Sequence, residues 1–145
     1  STGSGLPGES KGLFRPVSDW SGTTAPTVAF GQGYALTAMQ ATSIFATIAN
    51  DGVRVSPTVI AGTSDSSGKF TVASTRNSER VVSAKTAQQV RLMMESVVSG
   101  NGTAPSAAIP GYRVAGKTGT AERYDIECGC YSGYTASFIG FAPAD

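Results

Sequence analysis

The stretch from Thr37 to Gly52 reads TAMQATSIFATIANDG and carries no charge before Asp51. Thr37 and Gln40 have the spacing of a capping box, in which the hydroxyl meets the N3 amide and the glutamine reaches back. This predicts a helix over Ala38–Ala49, stopped by Asn50-Asp51-Gly52. A helix with no charge and few polar residues has no face suited to water, so it should be buried on most faces. A second layer must therefore cover it, within this chain or beyond it. At 145 residues the chain is long enough to bury a core as one domain or part of one.

The rest of the chain supplies candidates for that layer. Ser1 to Ala29 is rich in Gly, Ser, Thr and Pro and shows no sustained period. It reads as loop and turns, anchored by Leu13, Phe14, Val17 and Trp20. Val53 to Ile60 alternates as a strand, with Pro57 marking an edge or a break. Ser64 to Gly68 is a turn cluster, and Lys69 to Ala73 a short strand. Ser83 is a good N-cap for a second helix reaching Val98, with Val90, Met93, Met94, Val97 and Val98 as its apolar face. Tyr112 to Thr120 and Tyr134 to Ala142 read as two strands of matched length. The polar loop Glu122 to Gly133 between them makes an antiparallel hairpin. The class is α/β, an antiparallel sheet covered by helices.

Composition excludes several functions. The chain has no histidine, so neither a Ser-His-Asp nor a Cys-His pair is available, and the commonest metal ligand is missing. A formal net charge of +1, with no run of Lys and Arg, gives no footprint for nucleic acid. The uncharged stretch Ala35 to Ala49 is shorter than the ~20 residues of a spanning helix. Cys128 and Cys130 flank one glycine. The spacing leaves three readings open: free thiols, a tight disulfide suited to an oxidising compartment, or part of a metal site.

One segment carries candidate chemistry. Gly111 to Thr120 reads GYRVAGKTGT, and its first eight residues fit the phosphate-loop spacing. That loop needs a strand ending at the first glycine and a helix opening at the lysine. Here Pro110 precedes Gly111, Tyr-Arg-Val-Ala is strand-like, and Thr-Gly-Thr after Lys117 has no helical period. Nucleotide binding is the disfavoured alternative. Ser66-Ser-Gly-Lys69 and Ser99-Gly-Asn101 also match catalytic strings, S-x-x-K and S-x-N. The first lies in a turn cluster, where Ser and Lys do not share a helix face, and the second ends a helix.

KTGT gains meaning from its company. GLPGESKG, FGQGYALTAMQATSIFATIANDGVRVSPTVI, ERVVSAKTAQQVRLMMESVV, IPGYRVAGKTGTAE and GYTASFIGFAPAD occur in that order. Together they make the chain resemble the C-terminal half of the transpeptidase domain of class B penicillin-binding proteins, of the cell-division type. The resemblance implies a partial penicillin-binding transpeptidase (serine β-lactamase-like) fold. Residues 1–145 would lack the family's S-x-x-K and S-x-N segments and its final strand and helix. It implies a peptidoglycan D,D-transpeptidase that cross-links stem peptides by acyl transfer from D-Ala-D-Ala. The chain alone would be inactive, with the nucleophile in the remainder of the domain.

Lys117 would then supply positive potential beside that nucleophile, and the Thr120 N–H part of an oxyanion hole. Thr118 and Thr120 would hydrogen-bond the substrate carboxylate, and Gly119 would let substrate lie against the strand. Arg123 and Tyr124 would line the cleft mouth or lie on a loop surface. Tyr112 and Arg113 would be structural. The partners implied are peptidoglycan stem peptides, β-lactams and, for the full protein, membrane proteins of the division machinery. No metal or cofactor is implied, and the location would be extracytoplasmic with an anchor outside this chain. A non-enzymatic β-lactam sensor or scaffold on the same fold is the remaining alternative.

Overall fold

The computed structural model describes residues 2–73 and 77–145. Ser1, the first residue of the expected N-terminal loop, lies outside them. Among the described residues, three α-helices and six strands follow one another as α1 (Thr24–Ala29), α2 (Ala38–Ala49), β1 (Val53–Val55), β2 (Gly62–Ser64), β3 (Phe70–Val72), β4 (Ser78–Arg80), α3 (Ala84–Val98), β5 (Ala115–Asp125) and β6 (Cys130–Phe141). The strands form three two-stranded antiparallel units: β1 with β4, β2 with β3, and β5 with β6.

Helix α2 has its expected bounds and both halves of its capping box. The Gln40 N–H donates to Thr37 Oγ1 at 3.2 Å, and the Thr37 N–H donates to Gln40 Oε1 at 2.8 Å. It stops where two successive residues turn left-handed, Asp51 at φ 49° and Gly52 at φ 82°. A Cβ on Gly52 would strike the Val82 carbonyl, so this turn needs glycine for space as well as for torsion. Arg91 of α3 closes the stop from outside: it donates to the Ala49 carbonyl at 3.1 Å and pairs with Asp51 at 2.9 Å. An arginine at a helix C-terminus meets unpaired carbonyls and the negative end of the dipole together.

Helix α3 starts at its Ser83 cap, whose hydroxyl accepts from the Thr86 N–H at 3.1 Å. Its buried line is Ala87, Met94 and Val98, with Val90 half-buried. Met93, expected on that face, is 63% exposed. It lies about 100° around the helix from Met94, and the line runs through positions three and four apart. Met94, Ala115 and Ala144 form the core, with Phe45, Ile48, Val90 and Phe141 packed against them. The core thus sits where α2, α3, β5 and β6 meet.

Several expectations are corrected. The N-terminal loop contains α1 and a 3-10 turn at Val17–Asp19. Pro26 is tolerated in α1 because it falls in the first turn, where N–H groups have no intrahelical partner. Leu13, Phe14 and Val17 are exposed, and only Trp20 is partly covered, edge-on to Phe14 at 6.0 Å. The strand expected over Val53–Ile60 ends at Val55, ahead of Pro57, and the one over Lys69–Ala73 narrows to β3. Strands β2 and β4 are too short, at three residues, to show a period. Helix α2 has only Thr47 buried, so its second layer is incomplete among the described residues.

The hairpin is as expected in kind and longer in extent. Tyr112 lies in a turn and β5 starts at Ala115. The polar loop expected over Glu122–Gly133 shrinks to Ile126–Gly129, because the ladder continues past a register shift between Glu122 and Tyr124. Beyond that shift Tyr124 faces Tyr131 edge-on at 5.7 Å, a cross-strand aromatic pair that holds the polar end together. Cys128 and Cys130 are bridged at its tip, which selects one of the three readings.

Candidate functional site

The KTGT segment lies in the middle of β5, paired with β6 as Lys117 to Ile139, Thr118 to Phe138, Gly119 to Ser137 and Thr120 to Ala136. No helix opens at Lys117, which removes the structural condition for a phosphate loop. Ser66 lies in the turn joining β2 to β3, where Asp65 Oδ1 accepts from the N–H groups of Ser67 and Lys69. Ser99 is the C-cap of α3. Neither serine stands at a helix start, and Ser66 and Lys69 share no helix face.

Which way β5 faces follows from its neighbours. A Cβ on Gly116 would approach the Ile139 carbonyl at 3.0 Å, and one on Gly140 the Ala115 carbonyl at 2.7 Å. The carbonyls of Ala115 and Ile139 therefore point between the strands. Antiparallel alternation then makes Ala115, Lys117 and Gly119 the hydrogen-bonded positions. The N–H and C=O groups of Thr118 and Thr120 turn outward, to the edge away from β6. Among the described residues no third strand pairs with that edge.

The charge sits on the same edge. Lys117 Nζ donates to the Thr118 carbonyl at 2.8 Å and lies 3.4 Å from Thr118 Oγ1. Its side chain curls over the border of the strand toward the outward-facing groups. Lys117 and Thr120 are exposed, and Thr118 and Gly119 half-buried. The edge offers a cation, two hydroxyls and backbone donors and acceptors at two-residue intervals. That arrangement suits an extended peptide bearing a negative group.

The strand is held from behind. Gly116 is buried under the Phe138 ring, which a Cβ would strike, so this glycine serves packing. Arg113, just before β5, donates through Nε and Nη2 to both oxygens of Glu95 on α3, at 3.0 and 2.7 Å. That pairing raises the Arg113 pKa further above its usual value, the Glu95 hydrogen bonds first and its charge second. Arg113 is therefore the structural pin expected of it, tying the entry of β5 to the helix behind.

Two neighbours had no sequence signal. Thr103, in the connection after α3, places its hydroxyl 3.0 Å from Thr118 Oγ1 and so orients it. Ser137 stands opposite Gly119, and a Cβ on Gly119 would meet its Oγ at 2.6 Å. Gly119 thus spares a cross-strand hydroxyl. The second neighbour follows from the register and the first from where the connection after α3 meets β5, and no spacing rule supplied either. Tyr124 lies at the far end of the hairpin, paired with Tyr131, and Arg123 sits in the register shift.

The chain matches the transpeptidase domain of penicillin binding proteins over residues 1–145. It is 47% identical to Penicillin-binding protein PbpB of Mycobacterium tuberculosis, over 99% of this chain and 22% of that protein. Identity is 33% to Peptidoglycan D,D-transpeptidase FtsI of Escherichia coli, over 99% of this chain and 23% of that protein. Penicillin binding protein 3 of Mycobacterium tuberculosis, solved in complex with aztreonam, superposes with a TM-score of 0.93 at 46% identity, over 99% of this chain and 34% of the solved chain. The chain thus spans about a quarter to a third of the relatives it matches. With a match along its full length and a shared fold, this chain belongs to the penicillin-binding protein transpeptidase family.

Proposed function

We propose that this chain is the substrate-holding portion of a peptidoglycan D,D-transpeptidase. The observation that carries the reading is the outer edge of β5, where Thr118 and Thr120 present their backbone groups beside the Lys117 ammonium. A stem peptide ending in D-Ala-D-Ala lies along this edge as an added strand. The hydroxyls of Thr118 and Thr120 hydrogen-bond its terminal carboxylate. A serine in the remainder of the domain attacks the penultimate carbonyl, and the Thr120 N–H donates to the oxyanion as it forms. Terminal D-Ala departs, and the acyl-serine passes to the amine of a second stem peptide. A β-lactam follows the first half of this course and remains attached. Lys117 contributes positive potential that favours the anionic transition state and helps position the proton of the nucleophile.

The parent protein works outside the cytoplasmic membrane, held by a segment outside this chain and associated with membrane proteins of cell division. Among the described residues no helix is long and apolar enough to cross a membrane. With Ser66 in a hairpin turn, residues 1–145 alone do not form an acyl-enzyme. Incubation with a fluorescent penicillin should leave the isolated chain unlabelled and label the full-length protein. A labelled band from the isolated chain would overturn the division of roles.

A further inference from the structure

We propose that the Cys128–Cys130 bridge is a thiol–disulfide exchange site, open to attack by an aliphatic thiol while the hairpin stays folded. Nothing in the proposed acyl transfer uses it, and the proposal does not depend on that reading.

Position is the first ground. The bridge lies at the tip of the β5–β6 hairpin, and Cys128, Gly129 and Cys130 are all exposed. Gly129 has a left-handed φ of 64°, and its nearest neighbour, Tyr124 Oη, is 3.8 Å from where a Cβ would stand. No side chain at residue 129 screens the sulfurs. Exposed disulfides are the labile ones, because exchange needs a direct approach of thiolate to sulfur.

The second ground is that the fold does not need the bridge. A crosslink limits the unfolded chain less as the loop it closes shortens, and this loop spans one intervening residue. Closure of the hairpin is secured by other contacts. Tyr124 and Tyr131 pack edge-on just inside the tip, and Asp125 pairs with Cys130 in the ladder. Within the turn, the Glu127 N–H donates to Asp125 Oδ1 at 2.9 Å. With the bridge open, all three contacts persist.

The chemistry balances with thiols as the only co-reactant. A thiolate attacks one sulfur of the bridge and forms a mixed disulfide. The S–S electron pair leaves on the other cysteine, which takes a proton. A second thiol resolves the mixed disulfide, and the products are two cysteine thiols and one external disulfide. The cysteines are reduced by two electrons and the external thiols are oxidised by two. The released cysteine stays two residues away and can expel the adduct again, so the mixed disulfide is short-lived in the native sequence.

The test is equilibration of the full chain in glutathione buffers of graded ratio, with a parallel arm in dithiothreitol. Thiols are trapped by alkylation and weighed by mass spectrometry. We expect the bridge to open within the range that glutathione spans, with the melting temperature lowered by no more than about 5 °C. C128S and C130S, each with one thiol left, should accumulate a glutathione adduct in the folded state. The double variant should form none. Opening in both arms marks monothiols as sufficient, and opening only in dithiothreitol marks a dithiol as the partner. A bridge that opens only in step with thermal unfolding, or single-cysteine variants that stay unmodified while folded, would overturn the proposal.

Discussion

Helices α2 and α3 are built from opposite materials and are buried in the opposite sense. Helix α3 carries Lys85, Arg91 and Glu95, yet buries Ala87, Met94 and Val98 against β5 and the connection before it. Helix α2 carries no charge, yet buries only Thr47, and leaves Ile44 51% exposed. A groove of about 480 Å³ runs along it, lined in part by Leu36, Ile44, Ile48, Val81 and Val82. The difference separates two kinds of apolar face. That of α3 is satisfied inside this chain and holds β5 in place. That of α2 packs Phe45 and Ile48 onto the core and leaves the side carrying Ile44 uncovered among the described residues.

The sharpest way to break the contrast is in the core under α3. Met94→Ala removes a buried side chain from the cluster with Ala115 and Ala144, and should cost about 2–5 kcal/mol in urea unfolding. A cost below ~1 kcal/mol would mean that α3 is no better seated than α2. Next comes the tie between the helices. Arg91→Ala removes a charged donor from the Ala49 carbonyl and the partner of Asp51, with an expected loss of about 1.5–3 kcal/mol. Hydrogen exchange should show the loss at the C-terminal turn of α2 before α3.

On α2 itself, Ile44→Ala should cost less than about 1 kcal/mol in this chain, since half the side chain is already in water. In the full-length protein the same change should cost more, if a further layer covers the groove. Equal costs in both settings would show that the face is never covered.

The smallest effect concerns Glu9, which closes a loop beside that groove. It accepts from the Thr2 hydroxyl at 2.6 Å and the Thr2 N–H at 2.7 Å, and Thr2 and Ser4 are buried beneath. These bonds, the hydroxyl first, hold the Glu9 carboxyl below its ordinary value of 4.5. A lowered carboxylate pKa contributes stability that is fully present above the unfolded value and is lost as pH falls through the folded one. Melting should therefore weaken on acidification below about pH 4.5, by an increment that Glu9→Gln removes.

What the sequence made legible divides along similar lines. Both long helices were readable because caps and stops are local: Thr37 and Gln40, Ser83, and Asn50-Asp51-Gly52 act within a few residues of themselves. The hairpin was readable as two strand-like runs of matched length around a polar loop, but its full extent was not. Polar residues such as Glu122 and Arg123 read as loop, while the ladder through them depends on Tyr124 meeting Tyr131 across the strands. Helix α1 escaped because six residues hold less than two full turns of period. At the site, the four residues of KTGT could be named from motif order. The outward turn of the Thr118 and Thr120 backbone and the Ser137 hydroxyl opposite Gly119 depend on register, which is a property of two strands together, and the Thr103 contact depends on where the connection after α3 meets β5.

The measurement closest to the central claim is the rate of acylation by a fluorescent penicillin in the full-length protein, comparing Lys117→Gln with Lys69→Gln. Lys69 belongs to the S-x-x-K string in the β2–β3 turn and serves as the control. The outer edge of β5 predicts a fall of about 10²–10³ for Lys117→Gln, the scale of losing one charge-stabilising group, and no change for Lys69→Gln. Equal rates in the wild type and Lys117→Gln, or a comparable fall in Lys69→Gln, would contradict it.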